Sequence, residues 1–81
     1  MTKNDILTVA RGLYEARPFM LDKPAPSHPD DRVLRQQWLT AHTVYNNCVK
    51  FTLDKIREKQ KVSEETIVEF RKITKFSDAH I

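Results

Sequence analysis

Apolar positions recur at helical intervals in three stretches of this chain, separated by one proline-rich segment and one short polar break. In the first stretch Ile6, Ala10, Leu13 and Arg17 share a face, with Val9 and Tyr14 at its flanks. Thr2 is placed to cap it, and Asp5, three residues on, supports the first turn and its dipole. Pro18 disfavours helical geometry at Arg17, so the pattern predicts a helix over about 3–17. Gly12 lies inside that helix at a cost of about 1 kcal/mol against alanine. It either lets another backbone approach closely or is a tolerated surface glycine.

The second stretch is longer. Leu34, Trp38, Ala41, Tyr45, Cys48 and Thr52 follow alternating steps of four and three, and Val44, Val49, Leu53 and Ile56 widen the stripe. Ser27 or Asp30 can cap this helix, and Pro29, Asp30 and Asp31 suit its first turn. The predicted element covers about 30–61 and would be about 45 Å long. Residues 40–47 are rich in β-branched side chains and asparagine, which marks Asn46 and Asn47 as the place for a kink or break. Ser63 then caps a third helix over about 64–76, with Glu64 and Glu65 in its first turn and Ile67, Phe70, Ile73 and Phe76 on a broad apolar arc. Val68 lies opposite that arc. Residues 77–81 have no pattern and read as a fraying tail.

All four prolines, Pro18, Pro24, Pro26 and Pro29, fall between the first two helices. The fold class is therefore all-α: a small three-helix bundle with one long central helix and a proline-rich connection, 18–29, between helices 1 and 2. Residues 1–81 form one domain. A single glycine argues against a multistranded β fold and against glycine-rich nucleotide loops. Cys48 stands alone and cannot form an intrachain disulfide. No apolar run approaches a membrane span, so a cytoplasmic protein is the expectation. The net charge of +3 permits an acidic partner without requiring one.

The chain offers little chemistry. It holds no zinc-protease, redox-cysteine, nucleophile-elbow or phosphate-loop motif. His28, His42 and His80 are scattered. His42 and Cys48 are six residues apart, about 240° round a helix, and cannot share a metal there. His42 reads as a polar residue at the stripe edge, and Cys48 as a small buried hydrophobe. Asp30, Asp31, Glu64 and Glu65 are explained by helix starts. Asp54 and Glu58 interleave with Lys50, Arg57 and Lys61, as on a solvated face. No catalytic residue, metal ligand or cofactor is expected, and the chain reads as no enzyme.

Three surfaces remain. Phe19, Met20 and Leu21 precede the stiff proline run; they either clamp across the bundle, the favoured reading, or form a docking segment for a partner protein. Lys50, Lys55, Arg57, Lys59 and Lys61 are the candidate nucleic-acid contacts, although Glu64, Glu65 and Glu69 at the start of helix 3 would repel phosphates. The stripe on helix 2 outruns helix 1, so Leu34, Trp38 and Tyr45 are candidate self-association residues of a homodimer. The expected function is a helical protein-interaction module, acting as a small regulator, adaptor or inhibitor of a larger protein. Its size and composition would suit a bacteriophage or bacterial accessory protein. The alternative is a small basic DNA-binding regulator.

Overall fold

In the computed structural model, which describes residues 1–76, the elements are α1 (Lys3–Glu15), a 3-10 turn (Phe19–Asp22), a second 3-10 turn (Pro29–Asp31), α2 (Arg32–Lys59) and α3 (Glu64–Thr74). The fold is all-α, with no strand among the described residues and α2 as the long central helix. The unpatterned tail, residues 77–81 with His80, lies outside the described residues.

Each boundary has a local cause. At the start of α1, the Asp5 N–H donates to Thr2 Oγ1 at 3.2 Å and the Thr2 N–H donates to Asp5 Oδ2 at 3.0 Å, a complete capping box. Hydrogen bonding from the Thr2 backbone N–H, and then from its side chain, favours the charged form and holds the Asp5 carboxyl below its ordinary range. The helix stops at Glu15, two residues before the expected end. The Ala16 and Arg17 N–H groups close it by donating to the Gly12 and Tyr14 carbonyls, and the Arg17 side chain is spent holding the next turn. The cap of the second 3-10 turn is His28, whose Nδ1 accepts the Asp30 N–H at 3.1 Å, rather than Ser27 or Asp30.

Helix α2 runs unbroken through Asn46 and Asn47. Packing outweighs the poor propensity there: Tyr45 and Val49 are buried on either side, and the Asn46 amide hydrogen-bonds His42 Nε2 at 3.0 Å. The helix ends where Gln60 turns extended, and the Gln60 side chain donates to the Met1 carbonyl at 2.9 Å. Ser63 caps α3 by accepting the Thr66 N–H at 3.3 Å. Lys75 ends α3 in the left-handed region, φ 55°, and donates to the Lys72 carbonyl while the Phe76 N–H donates to the Arg71 carbonyl, which stops the helix before Phe76.

The core collects Ile6 and Ala10 from α1, Tyr45, Val49, Leu53 and Ile56 from α2, Ile67 and Phe70 from α3, and Leu21 from the first 3-10 turn. α1 packs chiefly against α3, and Lys3 bridges Glu65 at 3.5 Å and Glu69 at 3.3 Å across that seam. The bond to Glu69, with the charge of Glu65, raises the Lys3 pKa. Exposed pairs of this kind add little stability.

Two readings of single residues resolve here. Nothing lies within 4 Å of a Cβ placed on Gly12, so it is a tolerated surface glycine and permits no close approach. Cys48 is exposed, not a buried hydrophobe. It sits about 60° round the helix from Tyr45, at the margin that neither neighbour covers.

Candidate functional site

At 1.5 Å per residue, α1 and α3 are about 20 and 17 Å long, against about 42 Å for α2. They cover only the C-terminal half of α2, where Tyr45, Val49, Leu53 and Ile56 are buried. Towards the N-terminus Val33, Leu34 and Val44 are exposed. The molecule is accordingly elongated, 47 × 19 × 16 Å.

The proline segment partly covers the projecting half. The Trp38 indole N–H donates to two carbonyls of that segment, Met20 at 3.1 Å and Lys23 at 3.0 Å. Its ring stacks on His42, centroids 5.1 Å apart. From the other side the Arg17 guanidinium pairs with Asp22 and donates to the Leu21 carbonyl at 2.9 Å. The same guanidinium lies over the Tyr45 ring at 5.8 Å, and the Tyr45 hydroxyl donates to the Thr74 carbonyl at 2.6 Å. A continuous set of contacts therefore ties the turn to α2 and to the end of α3. Burial raises the Tyr45 pKa, an effect that the nearby Arg17 charge partly offsets.

The three apolar residues of the turn divide. Leu21 is 6% exposed and belongs to the core, whereas Phe19 is 83% exposed and Met20 is also exposed. The expected clamp of three residues is thus a clamp of one. A 3-10 turn has three residues per turn, so consecutive side chains point about 120° apart and cannot all face the core. Beside the turn lies a shallow groove, with Pro18 and Met20 on one side and Val33, Gln37, Ala41 and Val44 of α2 on the other.

The candidate self-association residues divide as well. Tyr45 is buried and bonded to α3, so it presents no surface to a second chain. Trp38 is half-buried and occupied in holding the turn, which leaves Leu34 exposed. Sequence reasoning passed over Val33 as part of the surface and placed Val44 with the core stripe. Their signal is an apolar residue off the main stripe at helical spacing, diluted by Gln37 and Thr40 between them.

The basic residues form no single face. Lys50 and Arg57 meet Arg71 of α3 around a small cleft that also contains Asp54 and Phe76. Lys55 and Lys59 line the opposite flank of α2, beside Met1, Val9 and Phe51. Lys55 pairs with Glu58 at 3.5 Å and stands over the Phe51 ring. Lys61 is exposed in the break before α3. Among the described residues no group of three or more His, Cys, Asp or Glu side chains could hold a metal, and no helix is long and apolar enough to cross a membrane. Comparison of the chain with protein-family models, with curated proteins and with solved structures finds no match.

Proposed function

We propose that this chain is a non-enzymatic protein-interaction module, a small regulator, adaptor or inhibitor that docks on a larger protein. One observation carries the reading: Phe19 and Met20 are exposed on a turn whose backbone is held by Trp38 and Arg17. Large apolar side chains left in water, on a segment fixed rather than loose, make a docking ridge that costs little ordering entropy on binding. Leu21 anchors the ridge from below, so rigidity and exposure come from neighbouring residues of one turn.

The test is affinity capture with the full chain after nuclease treatment, comparing the parent with Phe19→Ser. The reading expects a partner held by the parent and lost by the variant, with an unchanged melting temperature. A partner held equally by both moves the docking site away from the turn.

The nucleic-acid alternative draws on Lys50, Arg57 and Arg71 around one cleft. It has less support, because Asp54 shares that cleft and the remaining lysines point elsewhere. Duplex binding whose log affinity falls steeply with log salt would reverse the order of the two readings.

A further inference from the structure

A second stripe runs along α2, on the side away from the core. Val33, Gln37, Thr40, Val44, Asn47 and Phe51 follow steps of four and three, and all six are exposed. On an ideal helix this stripe lies about 150° round from the one that packs on α1 and α3. It is open along the covered half of α2 as well as the projecting half. Residues 36–49 carry no Asp, Glu, Lys or Arg, although half of this run belongs to the least covered part of the molecule. Solvated helix faces ordinarily carry charge.

We infer that this face is a twofold interface through which α2 packs antiparallel on α2 of a second copy of the chain. The inference goes beyond the docking ridge and does not depend on it, although Pro18 and Met20 border the same face. Its first ground is self-complementarity. A twofold contact must match a surface to itself. Turned antiparallel about position 42, the stripe matches in every layer: Val33 meets Phe51 of the second copy, Thr40 meets Val44, and Gln37 meets Asn47, amide to amide. These are the alternating seam positions that face each other across an antiparallel helix pair. On one flank Ala41 meets its own counterpart near the axis, where a small residue lets the helices approach, and Leu34 meets Cys48. The layers themselves hold no charged residue, and the nearest cation, Lys55, stands over the Phe51 ring at the outer end of the seam.

The second ground is charge, and it selects the direction. Asp30 and Asp31 head α2, while residues 50–61 carry Lys50, Lys55, Arg57, Lys59 and Lys61 against Asp54 and Glu58. Arg32, Arg35, Lys50 and Arg57 all lie about 100° or more round the helix from the stripe, whereas Asp54, Lys55 and Glu58 lie within about 60° of it; Arg32 also borders the groove beside Val33. Antiparallel pairing sets the basic end against a head whose Asp30 and Asp31 are balanced by Arg32 and Arg35, which avoids like-charge repulsion, and the helix dipoles oppose favourably. Parallel pairing sets the two basic ends side by side.

The third ground is area. The chain exposes 6075 Å², where a compact monomer of its mass would expose about 5,000 Å². The excess, about 1,000 Å², is of the order that one partner buries in a specific complex, about 800 Å². The seam itself involves some nine residues per chain, fewer than the ~20–30 per side of a standard interface. A dimer of micromolar rather than nanomolar affinity is expected.

Sedimentation equilibrium of the full chain, from low micromolar to several hundred micromolar, should show the mass rising from 9.5 kDa towards twice that. Val44→Glu places two carboxylates beside the axis and should weaken association at least ~100-fold, since like charges in an interface cost several kcal/mol. Val44 is 61% exposed, so the variant should keep the parent's helical circular dichroism and melt. Direction is read by a short bis-maleimide on Leu34→Cys, which keeps the native Cys48. The antiparallel dimer yields a 34-to-48 link between chains, identified by peptide mass. These positions lie about 21 Å apart along one helix, so that link cannot form within a chain. Phe19→Ser should leave the dimer intact, which separates this result from the fate of the docking ridge. A monomer at every concentration would overturn the inference, as would dimerisation that Val44→Glu leaves untouched. So would a linked dimer joined only through Cys48 to Cys48.

Discussion

The two halves of α2 are built on the same stripe and live in different surroundings. Leu34 and Leu53 are the same residue type on one helix, flanking the line of the buried stripe on either side by about 50°. Leu53 is buried between α1 and α3, and Leu34 stands in solvent. The pattern of a helix therefore states what it could bury, and the lengths of its neighbours decide what it does bury. In the covered half burial supplies stability; in the projecting half the same chemistry supplies surface.

The strongest way to break this contrast is the paired substitution. Leu53→Ala removes a buried side chain and should cost about 2–5 kcal/mol, a large share of the stability of so small a domain. Leu34→Ala should stay within about 0.5 kcal/mol. Thermal melts followed by circular dichroism at low micromolar concentration check both, and equal losses would show that the projecting half is covered in solution. The same contrast is compressed into one turn at Leu21 and Phe19. Leu21→Ser should lose roughly 1.5–3 kcal/mol of transfer energy, whereas Phe19→Ser should change the melt by no more than other surface substitutions do.

Tyr45 lies at the boundary between the halves. Tyr45→Phe leaves the buried Thr74 carbonyl without its donor and should cost about 1–2 kcal/mol. The pKa of Tyr45 is raised on folding, so its share of stability is complete below its ordinary value of 10.0 and is lost as pH rises towards the folded pKa. Alkaline destabilisation should therefore be weaker in Tyr45→Phe than in the parent. At Trp38→Phe the ring survives, but both bonds to the proline segment go. About 1 kcal/mol is expected, together with faster amide exchange at Leu21 and Lys23, whose N–H groups close the turn on Pro18 and Met20. An unchanged exchange rate would show that Arg17 and Leu21 hold the turn without Trp38. Gly12→Ala should give the smallest effect, a gain of up to about 1 kcal/mol, because its site is helical, exposed and empty.

What the sequence made legible follows from what is local. The spacing of Leu34, Trp38, Tyr45 and Ile56, the capping box of Thr2 and Asp5, and the Ser63 cap are short-range signals, and each appears where its pattern placed it. The misjudged residues depend on distant parts of the chain. Whether Tyr45 or Leu34 is covered is set by where α3 ends. Whether Phe19 or Leu21 turns inward is set by the phase of a 3-10 turn, which Pro18 starts without fixing its rotation. Cys48 belongs to the repeat by counting, but a stripe in steps of four and three leaves its outer members at the rim of a narrow contact.

The elongated shape has a hydrodynamic consequence. The Cα radius of gyration is 14.4 Å, against about 12 Å for a compact chain of this length, so the single chain tumbles as a prolate body with a high frictional ratio. A second chain laid alongside, with its axis near position 42, thickens that body while hardly lengthening it. Association would make the particle rounder as its mass doubles. The sedimentation coefficient should then climb more steeply with concentration than for spheres joining into a sphere, and end-to-end pairing would drive the frictional ratio the other way.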